Sequence, residues 1–350
     1  MNINATCIKK MRKICHHFFA AATAQSITNQ CDFIFILKFQ KGLLFLIKFY
    51  FMNQLPLVSV ICLCYNHENF VLESLNSVQN QSYKNIEIIV VDDNSSDKSV
   101  EIIEQWIKDT DISVRFIQHQ TNMGNNKAFN NAAKLANGSY LIDLAADDAL
   151  LEDAVQNQVE AFLNNSEAAL VFGNAEVINE NGQFLNYFFP VNEDKKVVET
   201  AIKNTTYESV LQGGNCMCSV SSMMKRSYFE EINGYDESLF YEDLDFWLRL
   251  SRISPFVFID KPLVQKRVVR NSQSSFFTKK KNDYALKIND TTYRILKKAF
   301  QMNVKKSEYK ALLKRIHHEI KHNIELRNYG LLLKLVVLKI KTEYKIRVIK

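Results

Sequence analysis

The chain has 350 residues, 47% hydrophobic and 23% charged, a balance typical of a soluble globular protein and unlike that of a disordered one. Seven cysteines lack the spacing of a small disulfide scaffold, which favours a reducing, cytoplasmic location. The net charge of +6 is uneven: basic and acidic residues number 7 and 1 in residues 1–51, 17 and 31 in residues 52–278, and 20 and 6 in residues 279–350.

The N-terminal residues do not resemble a standard targeting segment. Residues 33–51 are apolar and aromatic, but Lys38, Lys41 and Lys48 interrupt them, and each charge near a bilayer centre costs about 2.5–3.5 kcal/mol. A spanning helix or a cleaved signal is therefore not expected. Residues 1–55 are interpreted as an N-terminal extension, with two alternatives open: an over-extended start or a membrane-associating segment.

From Leu57 onward, strand and helix patterns alternate. Apolar runs of strand length occupy residues 57–65, 86–92, 114–119 and 139–145, and helical periodicity occupies 68–81, 99–109 and 125–136. This alternation predicts an α/β fold with a parallel, doubly wound sheet. In such sheets ligands bind beyond the carboxyl ends of the strands, where this chain carries the acidic pairs Asp92-Asp93 and Asp147-Asp148.

The second half of the chain is less regular. A helix is predicted at 153–164, a strand near ALVFGNAEVI, and a helical stripe after Tyr241-Glu242-Asp243. Residues 271–350 are predicted to form a basic helical region, in which LLLKLVVLKIK (331–341) fits either an interfacial or a buried amphipathic helix. The basic tail favours peripheral contact with an anionic membrane at the inner face of the cell membrane, or else it is a solvated helix.

The acidic residues suit the chemistry of nucleotide sugars. A departing diphosphate needs neutralising, commonly by Mg²⁺ or Mn²⁺ held by one or two carboxylates such as Asp147 and Asp148. Transfer with inversion also needs a general base for the acceptor hydroxyl, for which Glu242 and Asp243 are candidates. From the residues alone, a polar turn and charges favoured by a helix dipole are the simpler explanation of these positions.

Residues 57–260 resemble the inverting glycosyltransferase family 2. The matching motifs, in family order, are VSVICLCYNHENFVLESLNSVQNQSYKNIEIIVVDDNSSDKSVEII, TNMGNNKAFNNAAKLANGSYL followed by Asp-Asp, and GYDESLFYEDLDFWLRL. The resemblance implies a GT-A type doubly wound mixed sheet, with a nucleotide-binding half and an acceptor half in residues 56–270 and a C-terminal helical extension. It also implies an enzyme that transfers a sugar from a nucleotide-diphosphate donor, expected to be a UDP-sugar, to a glycan or lipid-linked acceptor in cell-surface polysaccharide synthesis.

The resemblance assigns substrate-binding roles at the first acidic pair. Asp93 would bind the nucleotide base, expected to be uracil, with Asp92 beside it. Tyr65 would lie near the ring of the base.

The resemblance also assigns the metal ligand and the base. Asp147 would bind the divalent metal, and Asp148 would help to hold the donor sugar or the ion. Asp243 would be the catalytic base, with Glu242 contacting acceptor or donor.

Two positions depart from the family pattern. Ala145 stands where many members have the first carboxylate of Asp-x-Asp, so we expect metal binding to depend on the bound diphosphate. Phe129 stands where many relatives have Arg, and Lys127 is a nearby alternative cation.

Other functions are weaker alternatives. The two departures allow a non-catalytic nucleotide-binding or scaffolding protein of the same fold. A dinucleotide-dependent oxidoreductase would need a glycine-rich turn after the first strand, and none is present in CYNHE. No nucleic-acid partner is expected, because no aromatic-basic module accompanies the basic tail.

Overall fold

The structure, a computed structural model, describes residues 55–110, 112–198, 205–213, 217–269 and 283–349. The predicted N-terminal extension therefore lies almost wholly outside the described residues. Residues 56–350 form one compact unit. No helix in the described part of the chain is both long enough and apolar enough to cross a membrane.

The first half of the fold alternates strands and helices, as predicted. The parallel strands are β1 (Val58–Cys64), β2 (Ile86–Asp92), β3 (Val114–Gln118) and β4 (Tyr140–Ala145). The helices between them are α1 (Val71–Gln79), α2 (Ser99–Asp109) and α3 (Asn125–Ala133). The central strands β1 and β2 are almost fully buried, which explains their near-continuous β-branched sequence.

Helix α3 ends three residues before the predicted boundary at 136, and the chain then approaches β1 closely. The carboxylate of Glu87 accepts hydrogen bonds from the backbone N–H groups of Asn137 and Gly138. A Cβ at Gly138 would lie 2.4 Å from Oγ of Ser59, so only glycine fits without displacing β1.

The second half makes the sheet mixed, as the family resemblance implied and the alternation alone did not. Its strands are β5 (Ala149–Leu150), β6 (Leu170–Ile178), β7 (Phe184–Tyr187), β8 (Met223–Lys225) and β9 (Phe256–Arg267). Its helices are α4 (Ala154–Asn164), α5 (Tyr207–Gln212), α6 (Arg226–Glu231) and α7 (Asp243–Ser251). The strand order is β3-β2-β1-β4-β8-β6-β9-β5, with β7 on β6, and the short β8 pairs antiparallel with both β4 and β6.

Three helices follow, as predicted: α8 (Asp283–Met302), α9 (Lys306–Glu325) and α10 (Tyr329–Val348). They are joined to the sheet-bearing part by a buried polar contact. The guanidinium of Arg252 bonds the carboxylate of Glu308 at 2.8 and 3.0 Å and lies 4.0 Å from the ring centre of Tyr207. The hydroxyl of Tyr207 in turn bonds the side chain of Asn303 at 2.6 Å.

Candidate active site

The register of the sheet brings the two acidic pairs to one edge. Strand β1 pairs Cys64 with Asp92 of β2 and Leu63 with Ala145 of β4. The backbone N–H groups of Asp93 and Ala146 then donate to carbonyls at the end of β1, each at 2.9 Å. The segments that carry both pairs therefore leave the sheet on either side of the same strand.

Arg267, the last residue of β9, holds the loop that carries Asp147 and Asp148. Its backbone N–H donates to Oδ1 of Asp148 at 2.8 Å, and its Nε donates to the carbonyl of Asp147 at 3.0 Å. Its Nη2 donates to the carboxylate of Glu73 at 2.6 Å, and the guanidinium lies over the ring of Phe70. Sequence reasoning did not identify Arg267, because its contacts come from three distant segments.

Asp147 and Asp148 differ in environment. Asp148 is buried, and burial together with the neighbouring charge of Asp147 raises its pKa to about 8. Asp147 is partly exposed, so its carboxylate can reach a ligand. The described residues contain no group of three His, Cys, Asp or Glu side chains that could hold a metal. The all-oxygen pair fits Mg²⁺ or Mn²⁺ that completes its coordination with phosphate oxygens and water.

At the end of β2, the carboxylate of Asp93 is hydrogen-bonded to other residues of the protein. Its carboxylate accepts hydrogen bonds from the backbone N–H groups of Met123 and Gly124 at 2.9 and 2.8 Å, and Nδ1 of His119 lies 2.7 Å away. These contacts fix the loop between β3 and α3. They also occupy most of the acceptor capacity of this carboxylate.

Asp92 and Tyr65 make fewer hydrogen bonds within the described structure than Asp93 does. Asp92 is fully buried, and its Oδ1 accepts from the backbone N–H of Ser95 at 2.9 Å. Its Oδ2 is buried and without a hydrogen-bond partner in the described structure. Tyr65 is 47% exposed at the same edge of the sheet. A buried oxygen without a partner is costly and commonly marks a position that a ligand or water completes.

Glu242 and Asp243 lie at the start of α7 as one acidic pair. Burial raises the pKa of Glu242 well above its usual range, and the charges of Asp243 and Asp143 raise it further. Burial also raises the pKa of Asp243, while Glu242 and the hydroxyl of Ser219 favour its ionised form. The neutral form is therefore favoured more strongly for Glu242 than for Asp243.

A third carboxylate, Asp143 of β4, joins this pair and was missed by sequence reasoning. The hydroxyl of Tyr235 donates to its Oδ2 at 3.0 Å. Burial raises the pKa of Asp143 to about 7, with a contribution from the charge of Asp243. The available signal was an aspartate within the otherwise apolar strand YLIDLA.

Lys266 is the second side chain that sequence reasoning missed. It is partly buried, and its Nζ lies 5.1 Å from the ring centre of Phe188. Its charge favours the ionised forms of both Asp148 and Asp243. Within the described structure it forms no ion pair of its own. It is thus a cation available to an anionic ligand.

The two departures from the family pattern have different consequences. Phe129 is fully buried, with its ring centre 5.5 Å from that of Phe229 and 5.0 Å from that of Tyr235, so it belongs to the core. Lys127 is exposed. Ala145, by contrast, ends β4 immediately before the acidic loop and leaves this loop with one carboxylate fewer.

Comparison with known proteins identifies sequence relatives. Residues 59–232 match the family model Glycosyl transferase family 2. An uncharacterized glycosyltransferase of Methanocaldococcus jannaschii is 32% identical over 216 residues, 61% of this chain and 71% of that protein. One from Rickettsia bellii is 32% identical over 224 residues, 63% of this chain and 31% of that protein. The chain thus spans about a third of the length of this Rickettsia relative.

Solved structures share the fold at low sequence identity. Staphylococcus aureus TarS 1–349 in complex with UDP has a TM-score of 0.50 and 18% identity, covering 83% of this chain and 91% of that one. The mannosyltransferase PcManGT from Pyrobaculum calidifontis, in complex with GDP-Man and Mn²⁺, has a TM-score of 0.55 and 17% identity, covering 81% and 74%. These likenesses confirm the GT-A type mixed sheet.

We expect Asp143→Asn to stabilise the protein at alkaline pH. The pKa of Asp143 is about 7 in the folded state against 3.8 ordinarily, so its contribution to stability is present below pH 3.8 and is lost as the pH rises through 7. Asparagine keeps an acceptor for Tyr235 and cannot ionise. Thermal unfolding at pH 8.5 should show a gain on the order of 1–3 kcal/mol, roughly 2–6 °C, and a smaller gain at pH 5.

The exposed Asp194→Asn serves as the control, because the same change of charge there should leave the pH dependence as in the wild type. Equal unfolding temperatures for Asp143→Asn and wild type at both pH values would contradict the burial of an ionisable Asp143.

Proposed function

The chain belongs to glycosyl transferase family 2, and we propose that it transfers a sugar with inversion from a nucleotide-diphosphate donor to a hydroxyl group. The observation that carries this proposal is that β4 bears Asp143, whose charge is felt by Glu242 and which accepts a hydrogen bond from Tyr235, and ends directly before the acidic loop. Residues 56–270 would form the catalytic domain and residues 271–350 a basic helical region. The match of residues 59–232 to the family model supports glycosyl transfer. The donor, acceptor and pathway named below are proposed.

In this reaction Asp243 acts as the general base. Its raised pKa makes its carboxylate a stronger proton acceptor than an ordinary aspartate. The acceptor oxygen attacks the anomeric carbon from the face opposite the diphosphate, and its proton passes to Asp243. The bond between the anomeric carbon and the diphosphate oxygen breaks, and its electron pair leaves with the diphosphate. Glu242, whose raised pKa favours its neutral form, would support the negative charge of Asp243 until the proton arrives.

The developing charge on the diphosphate is balanced by two groups in this proposal. Asp147, with Asp148, would hold a divalent Mg²⁺ or Mn²⁺ ion, which supplies positive charge at the leaving group. Lys266 would contribute a second, fixed positive charge from the end of β9. Because Ala145 supplies no carboxylate, Lys266 has one competing negative charge fewer nearby.

We propose UDP as the nucleotide, with Asp92, Asp93 and Tyr65 at the base. The complexes of TarS with UDP and with UDP-GlcNAc support this choice, although the GDP-Man complex of PcManGT makes GDP an alternative. The exposed ring of Tyr65 is available for the base, and the buried Oδ2 of Asp92 has no hydrogen-bond partner among the described residues. Asp93 would act at least partly through the loop that it fixes.

The acceptor proposed here is a glycan or lipid-linked hydroxyl used in cell-surface polysaccharide synthesis. Chondroitin synthase of Escherichia coli, which is 27% identical over 227 residues, supports a polysaccharide product, although this chain covers only 30% of that protein. A lipid-linked acceptor would place the enzyme peripherally at the inner face of the cell membrane. The non-catalytic alternative is motivated by Ala145 alone, since Phe129 belongs to the core.

We expect Asp243→Asn to lower kcat by roughly 10²–10⁴-fold, because the amide cannot accept the proton. UDP affinity, measured by calorimetry, should stay within about threefold of wild type. Glu242→Gln is the matched variant: glutamine resembles the neutral form that the raised pKa of Glu242 favours, so we expect a loss of kcat below tenfold. If Glu242→Gln were as inactive as Asp243→Asn, the assignment of the base would be wrong. Wild type inactive with every nucleotide sugar would favour the non-catalytic alternative.

We expect UDP to bind tightly only with Mn²⁺ or Mg²⁺, and Asp147→Ala to abolish that dependence. The carboxylate and the diphosphate together complete the coordination of the ion, so neither suffices alone. Calorimetric titration of residues 52–350 with UDP, with and without Mn²⁺, makes this measurement. Asp153→Ala is the control and should behave as wild type, because Asp153 is an exposed aspartate close to Asp147 in the sequence. Identical titrations with and without metal would refute the metal site.

We expect Lys266→Met to weaken UDP binding about tenfold and to raise the Mn²⁺ concentration needed for half-maximal activity. The variant keeps the apolar stem but removes a positive charge near the diphosphate, so more of the neutralisation falls to the ion. Lys261→Met is the control, because Lys261 is an exposed lysine of the same strand. Unchanged UDP affinity and metal requirement in Lys266→Met would remove Lys266 from the site.

A further inference from the structure

Helix α10 has two apolar faces, and only one of them is covered. The covered face consists of Leu331, Leu335, Leu338 and Thr342, all buried against the rest of the protein. The second face consists of seven residues that are each 36–68% exposed: Tyr329, Leu333, Val336, Val337, Ile340, Tyr344 and Val348. At about 100° and 1.5 Å per residue these seven form one stripe some 28 Å long, on the opposite side from the buried face.

Basic side chains border this stripe, and one of them, Arg347, lies within it. Helix α10 contains the five basic residues Lys334, Lys339, Lys341, Lys345 and Arg347, against one acidic residue, Glu343. With 100° per residue, Lys334, Lys341 and Lys345 lie about 80–120° from the centre of the stripe, along one border. Two pairings are loose and solvent-exposed, Lys334 with Asp290 and Lys339 with Glu343, each at 3.7 Å. Such pairs restrain the lysines little.

The positive charge of α10 indicates which kind of surface could cover the stripe. A second copy of the chain would bring two α10 helices together, each with a four-charge excess of basic residues. Residues 1–51 are also apolar and basic, so they would meet the same repulsion. An anionic phospholipid surface satisfies both features, because the acyl region receives the apolar stripe while the lysine stems extend to the phosphates.

We propose that α10 binds an anionic bilayer in the plane of the membrane, with the stripe from Tyr329 to Val348 as the inserted face. This inference deepens the membrane contact proposed above, and it rests on that function for the idea of a lipid-linked acceptor. The stripe residues would contact the lipid, while the buried face of α10 stays packed against α9 and α8. The charges of the helix favour this interfacial position over a transmembrane one.

The test is binding of the full chain to vesicles of phosphatidylglycerol and phosphatidylcholine, compared with vesicles of phosphatidylcholine alone. We expect wild type to prefer the anionic vesicles and to lose binding as salt is raised, because screening weakens the lysine contacts. The double variant Leu333→Asp, Ile340→Asp should bind at least tenfold more weakly. Leu163→Asp is the matched control, since Leu163 is equally exposed on α4 and should not matter.

Two results would overturn the inference. One is failure of folded wild type to bind anionic vesicles at low salt. The other is a stable dimer without lipid that the double variant converts to a monomer, which would assign the stripe to a second copy. Hydrolysis of the nucleotide sugar without vesicles, measured in parallel, reports on the catalytic site. It should be the same in wild type and the double variant, so failure of either proposal can be recognised separately.

Discussion

The buried guanidinium of Arg267 is the contact on which the acidic end of the sheet depends. A cation in this position must be paired, and Arg267 is satisfied by Glu73 of α1, by the carbonyl of Asp147 and by the ring of Phe70. These partners come from separate parts of the chain, so the arginine joins β9, α1 and the acidic loop. Its backbone N–H also donates to Oδ1 of Asp148, which satisfies one of the two adjacent carboxylates in the short loop.

The segment before the proposed base is held from two sides. From α3, the side-chain amides of Asn126 and Asn130 donate to backbone carbonyls in residues 235–239. From α8, Lys298 binds Asp236 and Asp245, and Thr292 bonds the hydroxyl of Tyr241 at 2.8 Å. The C-terminal helices therefore take part in positioning Asp243, in addition to presenting the exposed face of α10.

The site contains several carboxyl groups whose neutral form is favoured in the folded protein. Burial raises the pKa of Asp143, Asp148 and Glu242, and each of these groups makes the fold less stable as the pH rises through its own pKa. Such an arrangement makes the fold less stable at neutral pH than at acidic pH. The charge of Lys266 already offsets part of this cost for Asp148, and a bound metal would offset more, so binding of the proposed metal would stabilise the fold.

The sequence by itself determined the strand and helix alternation of residues 57–145, because buried parallel strands and amphipathic helices have local periodicities that can be counted. It also placed Asp92-Asp93 and Asp147-Asp148 at strand ends, and the motifs in order identified the family. Only the tertiary structure decided that β8 runs antiparallel between β4 and β6, that Phe129 fills the core, and that Asp143 and Lys266 join the site. These features depend on contacts between segments far apart in the sequence, 52 residues for Val171 with Met223 and 92 for Asp143 with Tyr235, for which no local pattern exists. For the same reason LLLKLVVLKIK fitted either a buried or an interfacial helix, and the fold showed that α10 has one buried and one exposed apolar face.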